Sequence, residues 1–304
     1  MRPMTRRHLI HGLLFISPWI VGVCLFIAYP IGASFYYSFT DTSMLGGGSW
    51  VGWQNYVTLL TADPLFWKSL GNTMFFAALS VPLTLLLSLS LAVLLSARLR
   101  EVNLYRTILY LPTLMPAVAV ALLWLWMLNP DNGFVNAAIG ALGLPTPGWL
   151  TDPSWAKPAL VLVSLWTIGS PLVIYLAGIK DIPEEVMEAA ALDGASRWQR
   201  VRHITVPLVT PMTFFNLIIG LIGAFQYFTI PFIMTVNSPT GLGSPLDSTL
   251  FYSVYLYSKA FRDVQAGYAS AMAWLLFLII MGLTVALFRS SARWVYYAGH
   301  TERA

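Results

Sequence analysis

Charge is the first thing this sequence is short of. Asp, Glu, Lys and Arg make up 10% of its 304 residues, against roughly 25% in an average soluble domain, while hydrophobic residues make up 57%. Such a chain cannot cover itself with polar surface. Its apolar residues fall in long blocks separated by short polar stretches, so the excess reads as several membrane spans, with lipid as the solvent. Cysteine is nearly absent: Cys24 stands alone inside an apolar stretch, which excludes a disulfide framework and a cysteine-based metal site. Lysine is scarce as well. A phosphate-binding P-loop needs Gly-Lys followed by Ser or Thr, but Lys68, Lys157, Lys180 and Lys259 follow Trp67, Ala156, Ile179 and Ser258. Direct use of ATP by this chain is excluded on that count. Paired carboxylates beside an apolar pocket, a nucleophile with its base and a His-rich metal spacing are also missing. The chain is therefore not expected to be an enzyme, nor to bind a cofactor or metal. The net charge of +4 does not point to nucleic acid, because the basic residues are scattered through short loops and form no single face.

A helix needs about 20 mostly apolar residues to cross the hydrocarbon core. Six windows qualify: about Leu13 to Phe39, Thr73 to Ser96, Thr107 to Leu128, Ala159 to Ile179, Met212 to Val236 and Gly267 to Phe288. The expected fold is thus an all-α polytopic membrane protein with six transmembrane helices. None of the windows contains Asp, Glu, Lys, Arg or His. Assigning the loops alternately to the two sides puts Arg2, Arg6, Arg7, Arg98, Arg100, Arg106, Lys180, Arg197, Arg200, Arg202, Arg289, Arg293 and Arg303 on one side. Only Lys68, Lys157, Lys259 and Arg262 fall on the other. That asymmetry predicts both termini in the cytoplasm of a multi-pass protein of the inner membrane. Thr5-Arg6-Arg7-His8-Leu9-Ile10 before an apolar run could mimic a twin-arginine signal. The run, however, extends well past the usual core of about 7 to 15 residues.

Pro18, Pro30, Pro82, Pro116, Pro171, Gly220, Gly223 and Pro231 lie inside spans. They fit a closely packed bundle, or alternatively an unwound pore element. Ion-coupled carriers usually carry a carboxylate or histidine within the membrane. Here His8, His11, His203 and His300 all fall at span ends or in loops, so any energy source must come from another chain.

The segment Lys180 to Thr210 reads as two short helices around a sharp turn. Asp181 and Glu184 have capping-box spacing with Pro183 in the first turn, and Gly194 stops the first helix. Ser196 and Gln199 repeat the spacing for a second helix, closed by Pro207 and Pro211. Asp181, Glu184, Glu185, Glu188 and Asp193 crowd the first helix, while Arg197, Arg200, Arg202 and His203 occupy the second. An acidic helix is repelled by the anionic cytoplasmic leaflet and is free to meet a protein partner. Ala189, Ala190 and Ala191 would let its backbone enter a groove closely, with Met187 and Leu192 as apolar contacts. An ordinary solvated loop helix is the plainer alternative.

Glu188-Ala189-Ala190, Gly194, Ile204 and Pro207 resemble the E-A-A-x3-G-x9-I-x-L-P loop of binding-protein-dependent ABC-transporter permeases. The one departure is Val206 in place of Leu. The resemblance implies a type I importer permease bundle whose loop, through Glu188, Ala189, Ala190, Asp193, Gly194, Ile204 and Pro207, docks into an ATP-binding subunit. It implies as partners a second related permease, two cytoplasmic ATP-binding subunits and an extracytoplasmic solute-binding protein, with ATP used by the partner subunit. Further residues resemble the sugar branch that includes the larger membrane subunit of the maltose importer. They are Tyr29-Pro30, Ser38-Phe39-Thr40-Asp41, Asn55-Tyr56, Thr249-Leu250, Tyr252, Tyr255, Tyr257, Ala260-Phe261, Gly267-Tyr268-Ala269 and Trp294-Val295-Tyr296-Tyr297. Where many of those relatives carry a Gly-Gly-Pro turn after the fifth span, this chain has Asn237-Ser238-Pro239-Thr240-Gly241.

The expected organisation is a tail, first span and outer loop over 1–70, a permease domain over 71–289 with its coupling loop at 180–210, and a tail over 290–304. A sugar in transit needs hydrogen-bonding groups and aromatic faces near mid-membrane. Asn216, Phe225, Gln226 and Tyr227 in the fifth span are the candidates, with the alternative that Gln226 bonds a neighbouring helix. A permease subunit importing a sugar or sugar-like solute is the expected function. An ATP-independent carrier or channel and a non-transporting scaffold are the rivals.

Overall fold

A computed structural model of the chain describes residues 6–97, 101–236 and 241–296. The turn at 237–240, the basic residues Arg2, Arg98, Arg100 and Arg303, His300 and Tyr297 lie outside the described residues. Among the described residues, regular structure is helical apart from one isolated bridge between Thr40 and Trp50. Four helices are long and apolar enough to cross a membrane: Ile10–Tyr37, Pro64–Ser96, Thr210–Thr235 and Ala266–Ser291. Two bent pairs, Val102–Leu114 with Ala117–Met127 and Pro153–Leu165 with Gly169–Lys180, bring the number to six when each counts as one crossing.

The third and fourth spans are not single straight helices. The third bends by 99° and the fourth by 47°. Proline is the cause in the third: Pro112 opens a 3₁₀ turn over Leu111–Leu114, and Met115, before Pro116, is extended at ψ 137°. The residue before a proline is pushed out of the α region. In the fourth, Pro171 sits in the first turn of Gly169–Lys180, where its ring is incompatible with the carbonyl four residues back. The first span passes through a π-turn at Cys24–Ala28 ahead of Pro30, a bulge that accommodates the same conflict. The second span is longer than its apolar core suggests, starting at Pro64.

The described chain divides into two compact units, Met1–Asp63 with Leu256–Phe277, and Pro64–Tyr255 with Leu278–Ala304. In the first, the buried Asn55 amide donates to the carbonyls of Ser38 (2.9 Å) and Thr40 (2.8 Å), and Tyr56 donates to Ser38 Oγ at 2.8 Å. The Gly267 N–H donates to Thr42 O at 2.9 Å, and a Cβ at Gly267 would collide with the Thr40 carbonyl. Tyr268 donates to Asp63 at 2.6 Å. The Ser38-Phe39-Thr40, Asn55-Tyr56 and Gly267-Tyr268 signatures thus meet in one corner, where Asn55 holds the backbone at Ser38 and Thr40 and Gly267 packs against Thr40.

In the second unit the second span packs against the second half of the fourth and against the fifth. Ala92, Leu95, Leu172, Tyr175, Leu176 and Val209 form a buried cluster there. Close approach needs small residues, since lipid gives helices no hydrophobic drive to associate. Gly178 lies against Met212 so closely that a Cβ would come within 2.9 Å of its side chain.

Candidate functional site: a loop helix and a cavity beside the fifth span

The loop helix runs over Glu184–Leu192. The capping box expected from Asp181 does not form: Pro183 is the N-cap, with no side-chain cap bond. Asp181 still terminates the preceding helix, at φ −78° and ψ −7°, so its backbone cannot also open the next. Glu184 and Glu185 in the first turn favour the helix electrostatically, since unsatisfied N–H groups make that end positive. Gly194 ends the segment at φ +81°, and the Ala195 N–H closes back on the Ala190 carbonyl at 2.9 Å. A side chain at Gly194 would meet open space, so the glycine is required by backbone conformation alone. Gly194→Val is expected to lower loop stability by about 1–2 kcal/mol, read as faster hydrogen exchange of residues 188–200 with the spans unaffected.

The second capping box forms: Ser196 N–H donates to Gln199 Oε1 at 2.7 Å and Gln199 N–H to Ser196 Oγ at 3.3 Å. Pro207 does not close this helix. The chain continues through a π-turn at Val201–Thr205 and a turn at Val206–Leu208, and breaks only at Val209. The π-turn just before Pro207 accommodates its ring and missing N–H, as the one ahead of Pro30 does. Glu188, Ala189, Asp193 and Gly194 are exposed, while Ala190, Ile204 and Pro207 are half-buried. A cleft of about 280 Å³ lies along the turn, lined by Asp193, Gly194, Ala195, Gln199, Arg200, His203 and Ile204. The structure thus brings Asp193, Gly194 and Ile204 together. Arg200 Nε is buried beside it without a hydrogen-bond partner.

The fifth span opens at Gln226 between Thr210–Phe225 and Thr229–Thr235. A cavity of about 230 Å³ lies beside it, lined by Asn216, Ile219, Gly220, Gly223 and Tyr227 of this span, Phe76, Ser80 and Thr84 of the second, and Ser164, Ser170 and Pro171 of the fourth. Asn216 is 5% exposed, and its Nδ2 and the Tyr227 hydroxyl are buried without a hydrogen-bond partner. The Tyr227 ring stacks on Phe76 with centroids 4.4 Å apart. Of the four residues singled out for a solute pathway, Asn216 and Tyr227 line this cavity. Phe225 is buried in the packed interior, its carbonyl accepting from Ser253 Oγ at 3.2 Å, and Gln226 is exposed at the opening of the helix. Ser80, Ser164 and Ser170 escaped sequence reading, because isolated serines in apolar runs more often bond their own helix. Ser164 does donate to the Val161 carbonyl at 2.6 Å.

A broken-helix membrane bundle with a polar-lined cavity and an exposed acidic loop helix is the architecture of a transport subunit. The binding-protein-dependent transport system inner membrane component family matches residues 84–297, and the chain belongs to it. It is 40% identical over 299 residues to the probable ABC transporter permease protein YesP of Bacillus subtilis, covering 98% of this chain and 95% of the relative. It is 35% identical to the lactose transport system permease protein LacF of Rhizobium radiobacter, covering 92% and 94%. Among solved structures, a chain of a bacterial ABC transporter involved in the import of the acidic polysaccharide alginate aligns with a TM-score of 0.80 at 25% identity, covering 95% of this chain and 96% of that one. The chain is accordingly a multi-pass inner-membrane permease subunit of an ATP-binding-cassette importer. It works with a solute-binding protein, and ATP is hydrolysed on a separate subunit.

Proposed function

We propose that this permease carries a sugar or sugar-like solute, and that its loop helix transmits the stroke of a cytoplasmic ATPase to the spans. The observation that carries the first half is the cavity: two buried polar groups, Asn216 Nδ2 and the Tyr227 hydroxyl, lack partners beside an aromatic stack. A buried unpaired donor costs about 1–3 kcal/mol, a cost that a hydroxyl-rich solute would remove. Lactose and alginate, cargoes named for two relatives, have that chemistry. The loop reading rests on an exposed acidic helix ended by a glycine in the left-handed region, in the spacing of the family's loop.

On this reading both termini are cytoplasmic, in keeping with the bias of basic residues. A second related permease and two ATP-binding subunits complete the complex. ATP-driven closure of the two ATPases would draw the two coupling loops together and rock the spans from inward-open to outward-open, whereupon the solute-binding protein delivers its load.

Purification from the native membrane in mild detergent, with mass spectrometry of what accompanies the chain, tests the assembly. A P-loop ATPase and a second permease are expected, and a chain that comes out alone yet active in uptake would overturn it. For the cavity, Asn216→Ala is expected to reduce uptake by about tenfold, the equivalent of one hydrogen bond of about 1.4 kcal/mol, while ATPase co-purification is unchanged. Undiminished uptake would remove Asn216 from the pathway.

A further inference from the structure

Lys157 stands in the first half of the fourth span, seven residues before Ser164, which lines the cavity. At 1.5 Å per residue that is about 10 Å along the helix. Its side chain is half-buried. Its Nζ lies 3.3 Å from Asn72 Oδ1 and 5.0 Å from the centroid of the Phe75 ring, both neutral. Phe75 and Asn72 belong to the second span, and the next residue, Phe76, is in the cavity wall. Asn72 is not free to turn, because its Nδ2 donates to the carbonyls of Asp247 at 2.8 Å and Leu250 at 3.0 Å.

A half-buried cation packed between two helices is ordinarily matched by an anion. Among the described residues Lys157 has no carboxylate within salt-bridge distance. The nearby acids are engaged elsewhere: Asp247 pairs with Lys68 at 3.7 Å, and Asp152 accepts from the Ser154 N–H at 2.8 Å and hydroxyl at 2.6 Å. An ammonium offers three donors, and one neutral acceptor leaves most of that capacity unused. Below it, the cavity presents two further unpartnered groups able to donate, on Asn216 and Tyr227, and no formal charge.

We infer that Lys157 receives an acidic group of the transported solute, a carboxylate or its equivalent, while a sugar ring lies against Phe75 and the remainder reaches toward Asn216. The substrate class is then an acidic saccharide, which rests on the reading of the cavity as the solute pathway. The same ammonium could meet the phosphate of a lipid headgroup, a source the test must separate.

Cellobiose and cellobiouronate, which differ only in one carboxylate, are suitable probes. They would be titrated by tryptophan fluorescence into the assembled permease and ATPase complex in nanodiscs, without the solute-binding protein. The acidic disaccharide is expected to bind about tenfold more tightly, the scale of a partly desolvated charge pair, with the preference shrinking as salt is raised. Lys157→Met should abolish the preference, so that the two sugars bind alike, and Lys157→Arg should keep most of it. Equal binding of the two sugars, both weakened by Asn216→Ala, would overturn the role of Lys157 while leaving the pathway reading intact. Binding indifferent to Asn216→Ala, or failure of both probes to bind, would overturn both. Loss of thermal stability by Lys157→Met only in phosphatidylglycerol nanodiscs, with the sugar preference retained, would assign the lysine to lipid instead.

Discussion

Leu192→Asp is expected to detach the ATP-binding subunit and reduce transport to background, although Leu192 touches nothing that holds the permease together. It is the last residue of the loop helix and 88% exposed. A single exposed leucine calls for no explanation. This one is followed, across the Gly194 turn, by Trp198 at 70% exposure, so two large apolar side chains flank one turn beneath an acidic helix. Interfaces draw most of their energy from a few such anchors, with charged residues at the rim governing approach and register. Burying a leucine contributes about 1.5–3 kcal/mol, and an aspartate in its place would also have to be desolvated. A loss of at least about 2–4 kcal/mol, a thirtyfold to thousandfold weaker complex, follows. The checks are recovery of the ATPase with the tagged permease and vanadate-sensitive ATP hydrolysis by the reconstituted complex. Leu192→Met should retain both, since it conserves volume and polarity. Thermal unfolding of the spans should be the same in all three proteins. Full ATPase recovery with Leu192→Asp would place the docking surface elsewhere.

What was legible in the sequence divides by the range of the forces involved. Membrane crossing is decided by local composition, so the six windows all reappear as helices or bent pairs, with ends displaced by up to nine residues, at the start of the second (Pro64 against Thr73). Turn chemistry is local too: Gly194 in the left-handed region and the Ser196–Gln199 box could be read from spacing alone. Asp181 misled because its spacing with Glu184 was right while its backbone already belonged to the preceding helix. Pro207 misled because the π-turn at Val201–Thr205 accommodates a proline that a regular helix interior would exclude. The cavity was only half legible. A polar residue in an apolar run announces itself, as Asn216 did, but which side of a helix it faces depends on partners far along the chain. Nothing local distinguishes Tyr227, against Phe76, from its neighbour Phe225, packed inside. Lys157 showed in the sequence as an ordinary basic residue at a span end. Its lack of a counter-ion became visible only once Asp247 and Asp152 were seen to be occupied.

The second large effect is expected at Gly169, where the bends of the third and fourth spans meet. Gly169 is the first residue after the 47° bend in the fourth span. A Cβ there would lie 2.5 Å from Thr113 Oγ1, 2.9 Å from Tyr110 Cα and 3.0 Å from the Leu109 carbonyl. Two of those three atoms are backbone, in the stretch that leads into the break of the third span, and cannot rotate away. Ser170 and Pro171, which follow directly, are in the cavity wall, so any displacement of this crossing moves the wall as well. Overpacking of a close contact costs about 1–3 kcal/mol and occasionally more. Gly169→Val, which adds three carbons, belongs at the upper end and should sharply reduce the folded protein extracted from the membrane. Gly169→Ala is the finer test, because helix propensity alone would favour alanine by up to about 1 kcal/mol. A net loss of stability for Gly169→Ala therefore reports the crossing itself. Adding Thr113→Ala should recover only part of the loss, since it removes the 2.5 Å contact and leaves the two to backbone atoms. The Thr113 hydroxyl is buried without a hydrogen-bond partner, so its removal forfeits no such bond. Thermal unfolding of the purified variants would read all three, and a Gly169→Ala protein as stable as the parent would mean that the two bent spans do not approach as closely as described.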